Sequence, residues 1–158
     1  MRRRHPTLPS RWLFTDERLG EELWPALRRL PRGSGVIVRH HALGRPERRR
    51  LLERLRRIGR SRGLLVWDER KAAVARVHSM QELRQALLRA PDLLFLSPLF
   101  ETRTHPEWLP LPRMRAAALI RLSPRPVFGL GGMNERRFAK LKPLGLAGYG
   151  AIDRWLRT

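Results

Sequence analysis

Short apolar runs alternate along this chain with longer stretches whose apolar residues recur every three or four positions. Trp12–Thr15, Gly35–Arg39, Gly63–Trp67, Asp92–Ser97, Pro126–Leu130 and Leu146–Gly150 are runs of the first kind, bounded by glycine, proline or charge, and read as buried strands. The second kind reads as helix. Leu23, Leu27 and Leu30 share one face of Glu21–Leu30, and Leu51, Leu52, Leu55 and Ile58 share one face of the arginine-rich stretch that Pro46 opens and that runs to about Arg60. Further helices are predicted over Met80–Leu88, Leu111–Leu122, Glu135–Leu141 and Ile152–Leu156. Ser79 and Glu82 have capping-box spacing at the start of the first of these. Residues 71–78 are ambiguous, with Val74–His78 a candidate strand.

Strand–helix alternation without hairpin signals argues a parallel α/β fold with about seven strands. A doubly wound sheet and a TIM-type (β/α) barrel both fit. The barrel is favoured because polar residues follow the strand ends: Asp16, Arg39, Asp68, His78 and Ser97. Barrels place their active face there, with phosphate held after the last two strands. Barrels run to about 200 residues or more, so at 158 residues this one is expected to be trimmed. The apparent boundaries are a basic, flexible segment over residues 1–11 and one domain over 12–158.

Pro126–Met133 reads as strand and Gly-Gly turn, with Asn134 capping the helix that follows. Glycines let a backbone approach a ligand closely, and helix N-termini attract anions. This is either a phosphate site or a tight turn with no ligand. The long loop Pro98–Pro110 points to function or disorder.

Composition narrows the picture. The chain has no cysteine, which excludes disulfides and cysteine metal sites. It has no run of about 18 apolar residues, so no membrane span is expected. Met1–Pro6 lacks a following apolar segment, and a cytoplasmic location is the expectation. The net charge is +20, and of the 34 basic residues only Lys71, Lys140 and Lys142 are lysines. Nucleic acid is not the expected partner, because the arginines are spread over helix faces and no basic–aromatic interleaving or nucleic-acid motif is present. Arginine-rich coding bias with anionic substrates explains the charge as well. The arginines of the 46–60 helix read as a solvated face, and the five tryptophans as core or rim rather than a stacking platform.

Leu13–Asp16, Val38-Arg39, Val77–Ser79, Ser97–His105, Gly129–Met133 and Gly148–Ile152 occur in the order seen in thiamine-phosphate synthases and their thiazole-tautomerase relatives. The chain resembles that family from residue 12 to 156. The resemblance implies a barrel that couples a hydroxymethylpyrimidine pyrophosphate to a thiazole phosphate, assisted by Mg2+. It also implies that backbone N–H groups of Gly131, Gly132, Gly150 and Ala151, together with Thr102 and Thr104, hold phosphate. Arg39 matches a pyrophosphate-side arginine, Asp68 a metal ligand, and His105 stands where the family has a lysine.

The pyrophosphate end departs from the family pattern. Ile37 and His41 replace a glutamine and a lysine, and Trp67 replaces an asparagine. One βα unit, which carries the second metal aspartate, is missing between Asp68 and His78. Mg2+ then has one carboxylate where it prefers two, or one with substrate phosphates. The synthase reaction is expected to be weakened. The tautomerase branch needs no metal, and the resemblance places its acid–base histidine at His78, a residue type suited to proton transfer near neutrality. Otherwise His78 is a strand-end residue that helps cap the next helix. A non-catalytic, phosphate-binding paralogue is a further alternative. The edge left by a missing strand invites cover from a second copy of the chain.

Overall fold

The computed structural model describes residues 7–71, 74–103 and 105–155. Among the described residues there are seven strands: β1 (Arg11–Phe14), β2 (Gly35–Val38), β3 (Leu65–Asp68), β4 (Val74–Val77), β5 (Leu93–Leu96), β6 (Val127–Gly129) and β7 (Gly148–Ala151). Helices α1 (Leu23–Arg29), α2 (Arg45–Arg62), α3 (Met80–Leu88), α4 (Arg113–Leu122) and α5 (Glu135–Leu141) alternate with them. All strand pairs are parallel, in the order β3-β2-β1-β7-β6-β5-β4. That is the cyclic order of a (β/α) barrel, opened between β3 and β4. The ambiguous stretch before His78 is a strand, paired with β5 through Val74↔Leu93 and Val77↔Leu96.

Two expected boundaries move. Arg11 begins β1, and the Ser10 carbonyl accepts the Tyr149 N–H at 2.8 Å, so residues 10 and 11 belong to the sheet rather than to a loose leader. The closing helix is a 3₁₀ turn, Asp153–Trp155, and Leu156 lies outside the described residues.

Strand alternation sorts the side chains onto two faces. Trp12, Phe14, Ile37, Leu93, Phe95 and Phe128 fill the inside of the curl, with Trp67, Val74 and Leu130 packed against them. The intervening residues, among them Leu13, Val36, Val38, Leu94, Leu96 and Tyr149, meet the helices in a larger outer core. Such large aromatics fit inside because the facing positions are glycine. A Cβ on Gly35 would lie 2.1 Å from the Trp12 ring, and one on Gly150 would lie 2.5 Å from the Phe14 ring. Phe14 and Phe95 pack edge-on at 4.9 Å, and Trp12 meets Trp67 at 5.4 Å.

The seam follows from the missing unit. A parallel crossover usually takes a dozen residues or more, yet only residues 69–73 lead from the end of β3 to the start of β4. Among the described residues no strand stands between these two edges. Side chains bridge them instead: Arg76 on β4 donates from Nη2 to Glu69 Oε1 at 2.6 Å.

Because the glycine strands make room for the inner aromatics, Gly35→Ala drives a methyl group into the Trp12 ring. Overpacking of this kind costs about 1–3 kcal/mol. A urea titration is expected to show a lower midpoint with an unchanged slope; an unchanged midpoint would refute this account of the glycine.

Candidate functional site

The mouth of the curl, at the C-terminal ends of the strands, carries two groups of polar side chains. The first lies over β1–β4. Asp16 follows β1 and is buried; its Oδ1 accepts from the Arg18 backbone N–H at 2.9 Å and from Arg18 Nε at 2.8 Å, and its Oδ2 lies 3.9 Å from Arg39 Nη2. The Arg18 hydrogen bond holds this carboxyl well below the usual range, at about 2. Asp16 therefore caps the turn that follows β1. Arg39, just past β2, is largely buried, and its Nε has no partner among the described residues. Burial, and next the like charge of Arg76, lowers its pKa. The Arg76 guanidinium lies 5.5 Å from the Phe14 ring, and Glu69 joins Arg76 to His41, whose Nε2 is 2.8 Å from Glu69 Oε2. Thr15 Oγ1 accepts the Arg39 N–H at 3.0 Å and pairs with His40 Nδ1 at 2.9 Å, which ties the ends of β1 and β2 together.

Asp68 is not part of this group. It points outward to α2, where Arg48 Nη2 is 2.8 Å from its Oδ1, and both side chains are nearly inaccessible to solvent. The same Nη2 donates to the Val38 carbonyl at 2.9 Å and the Arg39 carbonyl at 3.1 Å. Asp68 Oδ1 also accepts the Arg70 N–H at 2.9 Å. Burial pushes the carboxyl up, but the Arg70 and Arg48 bonds outweigh it, and its pKa falls. The expected metal ligand thus closes the β3 turn and neutralises a buried arginine. Among the described residues no group of three or more His, Asp or Glu side chains is placed to hold a metal. Mg2+ needs carboxylate oxygens free of competing cations, so this donor set does not fit it.

The second group surrounds the loop after β5. His78 follows β4, and Ser79 caps α3 by accepting the Glu82 N–H at 3.2 Å. The Glu82 carboxylate reaches back to both the His78 backbone N–H, at 2.6 Å, and His78 Nδ1, at 2.7 Å. Burial raises the Glu82 pKa, but these His78 bonds prevail and lower it. His78 meets Trp108 edge-on at 5.8 Å, and His105 stacks on the same indole at 3.9 Å with 8° between the planes. His105 Nδ1 is 3.2 Å from Glu107 Oε1. The two candidate histidines therefore share one exposed tryptophan in the loop. Thr102 is half-buried, and Thr104 lies outside the described residues.

Gly131 and Gly132 both have positive φ, 91° and 59°. Their smallness serves the 98–101 segment: a Cβ on Gly131 would meet Pro98 at 2.7 Å, and one on Gly132 would meet the Glu101 carbonyl at 2.3 Å. Among the described residues no acceptor is found for either glycine N–H. Asn134 caps α5 by accepting the Arg137 N–H at 2.9 Å, and Arg137 donates to the Gly132 carbonyl and lies over the Phe100 ring at 4.6 Å. Gly150 and Ala151, by contrast, are buried inside β7, paired with Trp12 and Leu13 of β1. The role of Gly150 in the structure is to admit Phe14.

Of the candidate residues, His78 and His105 are brought together, and Gly131 and Gly132 sit beside the segment that leads to Thr102. Arg39 belongs to the other side of the mouth. Glu69, Arg76 and Trp108 escape the sequence reading as site residues, and Glu82 is legible only as part of the α3 cap. Only Arg76 carries a usable signal, since it alternates with Val74 and so shares its inward face.

Breaking the buried pair tests this account of Asp68. Arg48→Met strands a carboxylate and is expected to cost about 3–5 kcal/mol, whereas Arg48→Met with Asp68→Leu returns close to the parent, because a packed apolar pair often substitutes without loss. A urea double-mutant cycle measures it; equal losses in the single and double variants would refute it. Asp16 gives a pH test. Its folded pKa lies below its ordinary value of 3.8, so its contribution is present above that value and is lost as pH falls toward about 2. Carbon-detected NMR titration is expected to place its midpoint near the lower value, and Arg18→Ala to move it upward.

Comparison with known proteins agrees with the architecture. The profile of the family described as Thiamine monophosphate synthase matches residues 71–153. Among solved structures, the chain is similar to a thiamine phosphate pyrophosphorylase from Pyrococcus furiosus, with a TM-score of 0.76 at 16% identity over 93% of this chain and 87% of that one. A sequence search of curated proteins finds no match. With the opened barrel, its order of strands and the profile match over its second half in agreement, the chain belongs to the thiamine monophosphate synthase family.

Proposed function

We propose that this chain acts in thiamine biosynthesis on a phosphorylated thiazole-type ring, by proton transfer through His78 and without a divalent cation. The observation that carries this reading is the pairing of Asp68 with Arg48. It withdraws the one carboxylate that metal-assisted loss of pyrophosphate would call on, and it leaves the His78–Glu82 pair as the acid–base machinery of the mouth.

Glu82 holds Nδ1, so Nε2 is the nitrogen that meets the substrate. A carboxylate on one ring nitrogen fixes the orientation of the imidazole, and positioned acid–base groups of this kind contribute about 10²–10⁴-fold to rate. His78 takes a proton from one ring position and returns it to another, so the composition of the substrate does not change. Trp108 and His105 offer flat faces to a planar ring. The N–H groups of Gly131 and Gly132 suit a phosphate, and so supply the anchor. Arg39 and Arg76 favour a second anionic group on the other side of the mouth.

With a thiazole carboxylate phosphate as substrate, NMR exchange between its tautomers is expected to persist in excess chelator. It should fall by about 100-fold or more in His78→Asn, and by less in Glu82→Gln. Pyrophosphate release from the two phosphorylated halves, dependent on magnesium and indifferent to His78→Asn, would instead establish the synthase reaction. Affinity for the phosphorylated ring with no turnover under either condition would leave a binding protein.

A further inference from the structure

The outer face of α2 is a separate feature, away from the mouth. The helix packs on the sheet through Arg48, Leu52, Leu55 and Gly59, which leaves Arg45, Arg49, Arg50, Arg56, Arg57 and Arg60 exposed. None of these six is paired with a carboxylate among the described residues. From Arg45 to Arg60 the array is about 22 Å long at 1.5 Å per residue. Arg45, Arg49, Arg56 and Arg60 recur at helical spacing along one flank, and Arg50 and Arg57 stand beside them. Glu47 and Glu53 are the only acidic residues in the helix.

Such a face favours an extended anion lying along it. Three kinds of partner have that charge, and the residue types on the face distinguish them. An anionic membrane surface would call for apolar side chains to insert, but the apolar residues of α2 are turned into the core. An acidic protein would call for an apolar or aromatic centre to the interface, and this face has none. Single strands would call for aromatic stacking platforms, and the Trp24 ring is already covered by Arg54 of this helix at 3.6 Å. The phosphate backbone of a duplex needs only closely spaced cations, and arginine binds phosphate through a planar fork. We propose that the outer face of α2 binds the phosphate backbone of duplex nucleic acid without regard to sequence. Its position on the outside of the barrel leaves the mouth free.

The test uses the full chain and fluorescent 20-base-pair DNA and RNA duplexes of random sequence, followed by anisotropy over a range of salt. Binding is expected at about 150 mM salt. Arg49→Gln/Arg56→Gln/Arg60→Gln should lower the magnitude of the log K against log[salt] slope by about 3, at about 0.9 for each phosphate that is no longer neutralised. Arg113→Gln/Arg115→Gln/Arg121→Gln on α4 removes the same charge elsewhere and should leave the affinity within about twofold. These are exposed positions, and circular dichroism confirms that both variants fold. Equal loss in the two variants would overturn the proposal, since net charge alone would then explain binding. So would absence of duplex binding at about 150 mM salt, or equal affinity for polyglutamate of matched charge, which would point to an acidic protein instead.

Discussion

A parallel sheet that stops one strand short of closing on itself has two bare edges and must keep them at a fixed separation without ladder hydrogen bonds. Here the work falls to side chains. Glu69, just past one edge strand, is bonded to Arg76 on the other, and His41 joins from behind. On the outer side, Arg48 gathers the ends of β2 and β3 by bonding the Val38 and Arg39 carbonyls and the Asp68 carboxylate. The inner aromatics set the radius of the curl, and these polar side chains hold its open side.

The seam also decides the chemistry at the mouth. Where the family pattern leads one to expect carboxylates for a cation, this chain has permanent guanidinium charges, and its one matching aspartate has been drawn into structural duty. A buried ion pair of this kind is costly to break and adds little to stability when intact. Its consequence is placement: it holds Asp68 away from the mouth. Another histidine and carboxylate lie across the barrel, where Glu82 accepts the His78 backbone N–H and pairs with its Nδ1.

The capping motif at Ser79 shows how one local device can acquire two uses. A serine followed three residues later by glutamate ordinarily satisfies the helix N-terminus. Here the serine does so, while the glutamate bonds the backbone and ring of the preceding histidine. Position along the chain thus joins the helix cap and the histidine orienter in one short motif. Trp108 then joins that histidine to His105 from a loop more than twenty residues away.

The strands, the helices and the parallel alternation could be read from apolar periodicity, because burial on a sheet or helix face imposes its spacing on the residues themselves. The trimmed barrel and its missing unit followed from chain length and from the short stretch between Asp68 and His78. The glycine turn before Asn134 was legible for the same reason: positive φ and close approach leave few other residues possible. What tertiary structure alone decided was pairing. Whether Asp68 faces the mouth or Arg48 depends on strand parity relative to a helical residue twenty positions away. That Gly150 yields space to Phe14 depends on which strand is paired beside it. Hydrogen bonds and ion pairs between distant residues leave no period in a sequence, so the fold could be anticipated and the partners of each charged group could not.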